Sequence, residues 1–554
     1  MELLAQRAAR LSALLIAALA LLSGTAHAQD LKFPPSQVKP PKGYSLTAKK
    51  VIRIADQEPK VIAERHKRGK LVPTAYTKGY GRWQVSYFQG KYERAQVIVD
   101  DLTGGVLESW TGPQVAWRMA RGEPGAFAGK LNAPYVWIPL CVLFFAPFFD
   151  WRRPFRILHF DLLVLLGFGV SHFFFNRGEI STSVPLAYPV LLYVLGRMLW
   201  IGFRPRERRE RLVPRVPLVW LALALVFLMG FRIALNVVDS SVIDVGYAGS
   251  IGGDKILHGH GLYGQSFFAK DNEHGDTYGP VNYVAYVPFV AVFGFDGLWA
   301  DLPSAHAAAI AFDLLTMIGL LVLGWRMRGP WLGITLAYAW AAFPYTLFAL
   351  NCNSNDAFVA MVCVWALVAL RSAPGRGLLL ALGGAAKFAP LALGPLFAFS
   401  GSPGRRWRGA LVVAAVVALV LVASFAPFIP HGGLRAVYDR TLGYQAGRAS
   451  PFSIWGQYGS LAWVWTAVKI LAVGLAVAVA FVPRGPRTPV QVAALGAAVL
   501  VALQLAVSHW FYLYIVWFTP FVLVALFALY RGGEPEAGSA AAATAQRAPE
   551  PALA

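Results

Sequence analysis

Apolar runs recur along this 554-residue chain, and they constrain its fold more than any motif does. Each run is about 15–23 residues long, and about 20 apolar residues cross the hydrocarbon core of a bilayer. Lipid offers the backbone no hydrogen-bond partners, so crossing segments satisfy their own polar groups as helices. The sequence therefore reads as an all-α polytopic membrane protein. Residues 29–130 are the exception and read as a small N-terminal α+β extracytoplasmic domain.

The net charge of +21 invites a nucleic-acid reading. The basic residues argue against it, because they do not gather into one patch as a nucleic-acid footprint does. Many sit in short Arg-rich loops between apolar runs, the pattern of cytoplasmic loops under the positive-inside rule. The partners implied are membrane lipid and lipid-linked molecules, and no nucleic acid. Two of the three cysteines, Cys141, Cys352 and Cys363, lie in apolar runs. None has metal-ligand spacing, so neither a disulfide framework nor a metal site is expected.

Residues 1–28 carry Arg7 and Arg10, an apolar stretch from Leu11 to Leu22, and Ala26-His27-Ala28. That is the layout of a secretory signal with an A-x-A cleavage site. A Pro-rich linker follows. Lys49 to Arg65 then predicts an amphipathic helix interrupted at Pro59. Three strand-like runs come next, at residues 83–88, 95–99 and 106–110, separated by Gly-containing turns. Ala95 to Trp110 resembles the periplasmic PepSY domains, which implies a binding or folding module.

Four apolar runs follow, at about residues 134–149, 161–175, 184–203 and 216–237. Residues 134–215 are read as accessory transmembrane helices and 216–531 as a transmembrane core. With the N-terminal domain outside, Arg152, Arg153 and Arg156 fall in the cytoplasm. So do the six arginines between Arg204 and Arg215. The stretch from Asp239 to Tyr283 then faces outside. It is about 45 residues of polar, Gly-rich and aromatic sequence, and a loop that long is usually functional or disordered. Whether residues 283–295 cross the membrane is left open. Residues 378–400 have basic loops at both ends and Lys387 near the middle, which predicts a broken hairpin. Residues 532–554 read as a disordered cytoplasmic tail. This topology gathers Asp239–Tyr283, Asn351–Asp356, Pro430–Gly459 and Ser508–Tyr512 on the outer side. It predicts one outward cavity at the membrane boundary.

The first of those stretches contains Asp244-Val245-Gly246-Tyr247, Gly259-His260-Gly261-Leu262-Tyr263 and Asp276-Thr277-Tyr278-Gly279-Pro280. It resembles the first outer loop of the GT-C membrane glycosyltransferases, especially glycosyltransferase family 87. Asn353-x-Asn355-Asp356, Lys387-x-x-Pro390 and the aromatic His509–Tyr514 segment fit the same resemblance, which covers about Val216–Arg531. Two features depart from it. Tyr278-Gly279-Pro280 lacks the family's double proline, and the N-terminal domain and first three spans are additional.

The resemblance implies a polyprenyl-phosphate sugar as donor substrate, with no separate cofactor. The sugar it suggests is a hexose, mannose among them, and the acceptor a lipid or glycan. Such a transfer needs a carboxylate to take the acceptor's proton and cations on the leaving phosphate. Asp244 is the candidate base and Asp239 the fallback. Asp244 serves equally well as a helix cap, and Asp356 as the cap of the helix it precedes. Lys387, Arg440, Arg448, His258 and His509 are candidate substrate ligands, with Tyr247, Tyr263 and Tyr278 beside them. Arginine suits bidentate phosphate binding. His258-x-His260 is a weak metal signal. A transporter or flippase is the alternative, with Lys387 on the substrate pathway. A receptor built on residues 29–130 is a third reading.

Overall fold

The computed structural model of the chain describes residues 32–79, 81–90, 92–111, 128–176, 180–204, 216–264, 267, 275–295, 302–400, 406–447, 450 and 452–530. The expected signal, the C-terminal tail, most of the Arg204–Arg215 loop and Arg448 lie outside these residues.

The N-terminal domain is α+β, with one more strand than its sequence suggests. Pro59 separates two helices, Ala48–Asp56 and Pro59–Arg68, because a proline at a helix start lacks only an N–H that would be unpaired there. Four antiparallel strands follow in meander order: β1 (Val72–Gly79), β2 (Arg82–Gln89), β3 (Tyr92–Asp100) and β4 (Val106–Thr111). The additional strand is β1, whose Pro73 and Lys78 hide its alternation. Val51, Ala55 and Val61 from the helices pack on Trp83, Val85, Tyr87, Val97 and Val99. Asp101 ties the first segment to the sheet, accepting from the Ser45 and Leu46 amides and from Trp83 Nε1 at 2.6, 2.9 and 2.7 Å.

Beyond residue 128 the described fold is all helical, with seven helices long and apolar enough to cross a membrane. They are Ile157–Asn176, Thr182–Phe203, Leu218–Val238, Pro303–Arg328, Arg406–Phe428, Gly459–Phe481 and Pro489–Ala506. The pair Pro330–Ala342 and Pro344–Asn351, bent by 59° at Phe343, is long and apolar enough to form an eighth span or a re-entrant loop. Pro344 causes the bend, since it has no N–H to continue the ladder. The carbonyls freed there are recovered by side chains. Thr346 Oγ1 donates to the Trp340 and Phe343 oxygens at 2.6 and 2.8 Å, and Arg232 Nη1 donates to the Ala341 oxygen at 3.0 Å.

Arg232 is itself buried in the Leu218–Val238 helix and pairs with Asp313 of Pro303–Arg328, at 2.5 and 3.1 Å. Trp340 Nε1 also donates to Asp313, at 2.9 Å. A second buried pair, Arg197 and Asp161, joins the Thr182–Phe203 and Ile157–Asn176 helices at 2.8 Å, with the Tyr193 hydroxyl on the same carboxylate at 2.6 Å. Charges inside an apolar bundle are costly unless paired and hydrogen-bonded. Both carboxylates here have multiple donors.

Two regions left open in the sequence are defined here. Residues 280–293 form two short helices, Pro280–Val284 and Val287–Phe293. Residues 373–398 form the broken hairpin: a helix at Ala373–Ala386, then Ala389–Leu393 and Gly394–Ala398 running back. Gly383 and Gly384 let the arms touch. A Cβ on Gly383 would lie 3.0 Å from Pro390, and one on Gly384 would overlap the Leu391 side chain. Lys387 sits at the tip.

Candidate functional site

The Asp239–Tyr283 stretch is less of a loop than its composition suggests. Asp244–Leu257 is a 14-residue helix, and nine of those residues are buried. Gly246, Gly249 and Gly253 recur every three or four residues, which puts them on one helical face, with Gly252 at its edge. Gly249 lies against the Tyr286 ring, where a Cβ would be 2.5 Å away, and Gly253 lies against Val290 at 3.0 Å. A Cβ on Gly252 would overlap the Tyr283 ring, and one on Gly246 would overlap the Asn353 carbonyl. Without side chains in the way, the helix lies flat on the 280–293 pair and on the Asn351–Asp356 turn.

That turn is bound by residues 236–243. The Ser241 amide donates to the Asn351 oxygen at 3.0 Å and the Ile243 amide to the Cys352 oxygen at 2.9 Å. Asn236 Nδ2 donates to the Leu350 oxygen and to Asn353 Oδ1, both at 2.8 Å. Asn353 takes a left-handed φ of 49°, which asparagine tolerates better than most residues. Asp244 thus begins a helix anchored to the chain just before Asp356. It is half-buried, and its Oδ1 accepts the Val245 amide at 2.9 Å. Ile243, not Asp244, occupies the cap position.

Asp239 is placed differently. Its Oδ2 accepts the Lys130 amide at 2.6 Å, and Gly129 packs so closely that a Cβ would be 2.7 Å from that oxygen. It ties residues 128–130 to the end of the Leu218–Val238 helix.

Asp356 and Lys387 form the centre of the site. Lys387 Nζ lies 2.5 Å from Asp356 Oδ1, and Trp517 Nε1 donates to the same oxygen at 2.8 Å. The Ser354 hydroxyl holds Oδ2. Three rings surround the ammonium, Tyr278 and Trp517 at 5.5 Å and Tyr514 at 5.9 Å. Each is within cation–π range. The hairpin's tip is fixed by the Gly279 amide, which donates to the Ala386 oxygen at 3.0 Å. Asp356 shares this ion pair besides opening its helix.

A second cluster lies next to Tyr278. Tyr263 donates its hydroxyl to the Tyr278 carbonyl at 2.8 Å, and Tyr283 donates to the Gly275 carbonyl at 2.6 Å. Asp276 between them is 1% exposed and pairs with Arg440 at 3.0 Å. Its Oδ1 has no partner. Burial raises its pKa, with Arg440 only partly opposing. Arg440 belongs to the second polar segment, so this pair ties the two segments together.

The expected residues thus separate into groups. Tyr278, Asp356 and Lys387 meet directly, and Tyr263 and Arg440 join them through the Tyr278–Asp276 segment. Asp239 meets the Asn351–Asn353 turn through its backbone oxygen, and Asp244 starts the helix whose preceding Ile243 is bonded to that turn. Tyr247 is buried against Phe295, 6.1 Å between ring centroids. His509 sits 2.8 Å from Ser450 Oγ and contacts the Tyr514 ring at 6.5 Å. His258 lies apart, exposed at the end of its helix beside Asp254 and His260. Among the described residues no three His, Cys, Asp or Glu side chains converge as a metal group.

Asp276, Trp517, Asn282, Asn355 and Tyr286 belong to the site without having been singled out as ligands. In sequence the aromatic ones look like interfacial belt residues. Asp276 and Asn355 had a signal, one as the acidic residue opening the Asp276-Thr277-Tyr278-Gly279-Pro280 motif and the other within Asn353-x-Asn355-Asp356.

Residues 277–508 match the family model described as glycosyltransferase family 87. The match covers less than half of the chain. It contains Tyr278, Asp356, Lys387 and Arg440, begins after the Asp244 helix and ends one residue before His509. No curated protein matches the chain. In the matched stretch the chain is similar to a membrane glycosyltransferase.

Proposed function

We propose that this chain moves a hexosyl unit from a polyprenyl-phosphate donor to a lipid or glycan acceptor at the outer face of the membrane, with inversion. The acceptor hydroxyl oxygen attacks the anomeric carbon, the bond from that carbon to the phosphate oxygen breaks, and polyprenyl phosphate leaves. One displacement inverts the anomeric centre. Asp244 takes the acceptor proton as general base. Arg440, at the edge of the buried Asp276 carboxylate, meets the charge that develops on the leaving phosphate. Arg448 and His509 serve the same phosphate. Mannose is the hexose the family likeness favours.

The single observation that supports this reading is the buried Asp356–Lys387 pair walled by Tyr278, Tyr514 and Trp517, beside the turn on which the Asp244 helix is anchored. Lys387 is neutralised by Asp356, so its role is to shape and rigidify the tip beside the substrate. That arrangement favours transfer over transport, because a pathway lysine would have to exchange partners as substrate passes.

The reading is tested by transfer of labelled sugar from a panel of polyprenyl-phosphate sugars, using membranes with wild type or Asp244→Asn at equal expression. Transfer by wild type alone supports both class and base. Transfer by both moves the base to Asp239 or Asp356. No transfer from any donor, with lipid translocation instead, makes the protein a flippase. Cysteines at Gly261 and Gly447 should label from outside and one at Arg208 from inside. A cytoplasmic Gly261 ends the outer-face assignment.

A further inference from the structure

Asn282 and Asn355 make an amide pair whose other halves have no partner. Asn355 Nδ2 donates to Asn282 Oδ1 at 2.5 Å. Asn282 Nδ2 and Asn355 Oδ1 are both buried without any hydrogen bond, in residues only 2% and 1% exposed. Buried amides of this kind are normally satisfied. Asn355 is unusual in a second way. It occupies the cap position of the Asp356–Val368 helix, where an asparagine side chain ordinarily accepts from the first turn, yet it makes no such bond. Ser354 Oγ accepts the Asp356 amide instead, at 3.1 Å. Tyr286, four residues after Asn282, adds a buried hydroxyl that also lacks a partner.

The chemistry of the pair does not depend on how the amides are oriented. Turning both over exchanges donor and acceptor but leaves one free N–H₂ and one free C=O. Turning only one over would set two like atoms together. The pair therefore always offers one donor beside one acceptor. A phosphate or carboxylate has only acceptors to give, and an ammonium only donors. A hydroxyl both donates and accepts, so neighbouring hydroxyls on a neutral ring match the pair.

We infer that Asn282 and Asn355, with Tyr286, form a subsite for the hydroxyls of the transferred sugar, next to Asp356 and Lys387. The inference rests on the glycosyltransferase reading and adds where that enzyme tells one glycosyl unit from another. The two free atoms are buried where the Pro280–Val284 helix meets the Asn355 turn, so sugar binding requires that contact to open.

The test measures binding to the detergent-solubilised full chain, followed by tryptophan fluorescence. The probes are a short-chain polyprenyl phosphate, its mannosyl, glucosyl and galactosyl derivatives, and mono-deoxy versions of the tightest. Wild type should prefer one sugar-bearing probe to the bare phosphate by about tenfold or more. Asn282→Ala and Asn355→Ala, at unchanged melting temperature, should bring that preference within about twofold and leave affinity for the bare phosphate intact. If the variants do not fold, the deoxy probes on wild type decide, since loss of one hydroxyl should remove most of the preference. A preference that survives both substitutions, or the loss of every single hydroxyl, overturns the subsite while leaving the enzyme class standing. Equal binding of sugar-bearing and bare probes also overturns it. Wild type that binds no phosphate probe overturns the glycosyltransferase reading and the subsite with it.

Discussion

Lys387 and Asp356 stand 31 residues apart in the chain and 2.5 Å apart in the fold. One sits at the tip of a broken hairpin, the other at the first turn of the helix that precedes it. The pair is enclosed, with side-chain exposures of 9% and 1%. An enclosed pair gains less from its mutual attraction than it loses when one partner is removed.

Lys387→Met should therefore destabilise the protein by about 3–5 kcal/mol, because it leaves the Asp356 carboxylate buried without its cation. The double variant Lys387→Met with Asp356→Leu should cost less than Lys387→Met alone. Thermal unfolding in detergent measures both. Double-variant loss equal to the sum of the single losses would mean that the two groups do not interact.

Asp244 and Asp239 are separable by function. Asp244→Asn should lower transfer by about 10²–10⁴-fold with little change in melting temperature, as loss of a general base does. Asp239→Ala should keep most of the transfer and cost about 0.5–1.5 kcal/mol, the worth of its bond to the Lys130 amide. The opposite pattern would exchange the roles of the two carboxylates.

The glycine face of the Asp244–Leu257 helix should tolerate no side chains. Gly252→Val drives methyl groups into the Tyr283 ring and should cost about 1–3 kcal/mol. Gly261→Ala is the control, since no atom lies within 4 Å of its Cβ position, and should stay within about 0.5 kcal/mol. Equal melting temperatures for the two variants would mean that the helix does not lie on the 280–293 pair.

Asp276 carries a pH signature. Its folded pKa is raised above the ordinary value of 3.8 by burial, so the folded state holds the proton to higher pH than the unfolded state does. Stability is then fully present below the ordinary value and falls as pH rises toward the folded pKa. Asp276→Asn should flatten that part of the profile. Melting temperatures from pH 3.8 upward test it, and a wild-type profile that rises through that window would contradict the sign.

Much of the helical framework was readable because hydropathy reports directly on where lipid lies. The runs expected near 161–175, 184–203 and 216–237 became the helices Ile157–Asn176, Thr182–Phe203 and Leu218–Val238. The broken hairpin was legible for the same reason: a lysine and two basic ends cannot share one simple crossing. The strand β1 was not legible, since Pro73 and Lys78 interrupt the alternation that marks a strand. The helix at Asp244–Leu257 was obscured by its four glycines, which weaken helix propensity. Those glycines give close contact with Asn353, Tyr283, Tyr286 and Val290, and propensity carries no term for such contact.

By itself the sequence determined which segments are apolar enough to cross a membrane, which are polar, that Asp244, Asp356 and Tyr278 lie in or beside polar breaks, and that Lys387 interrupts an apolar run. Those are local properties, set by each segment's own transfer free energy. Partners were decided only by the tertiary structure. Trp517 reaches Asp356 across 161 residues, Arg440 reaches Asp276 across 164, and Asn355 reaches Asn282 across 73. A buried polar group must find a partner wherever the packed helices bring one, and sequence spacing holds no record of that distance.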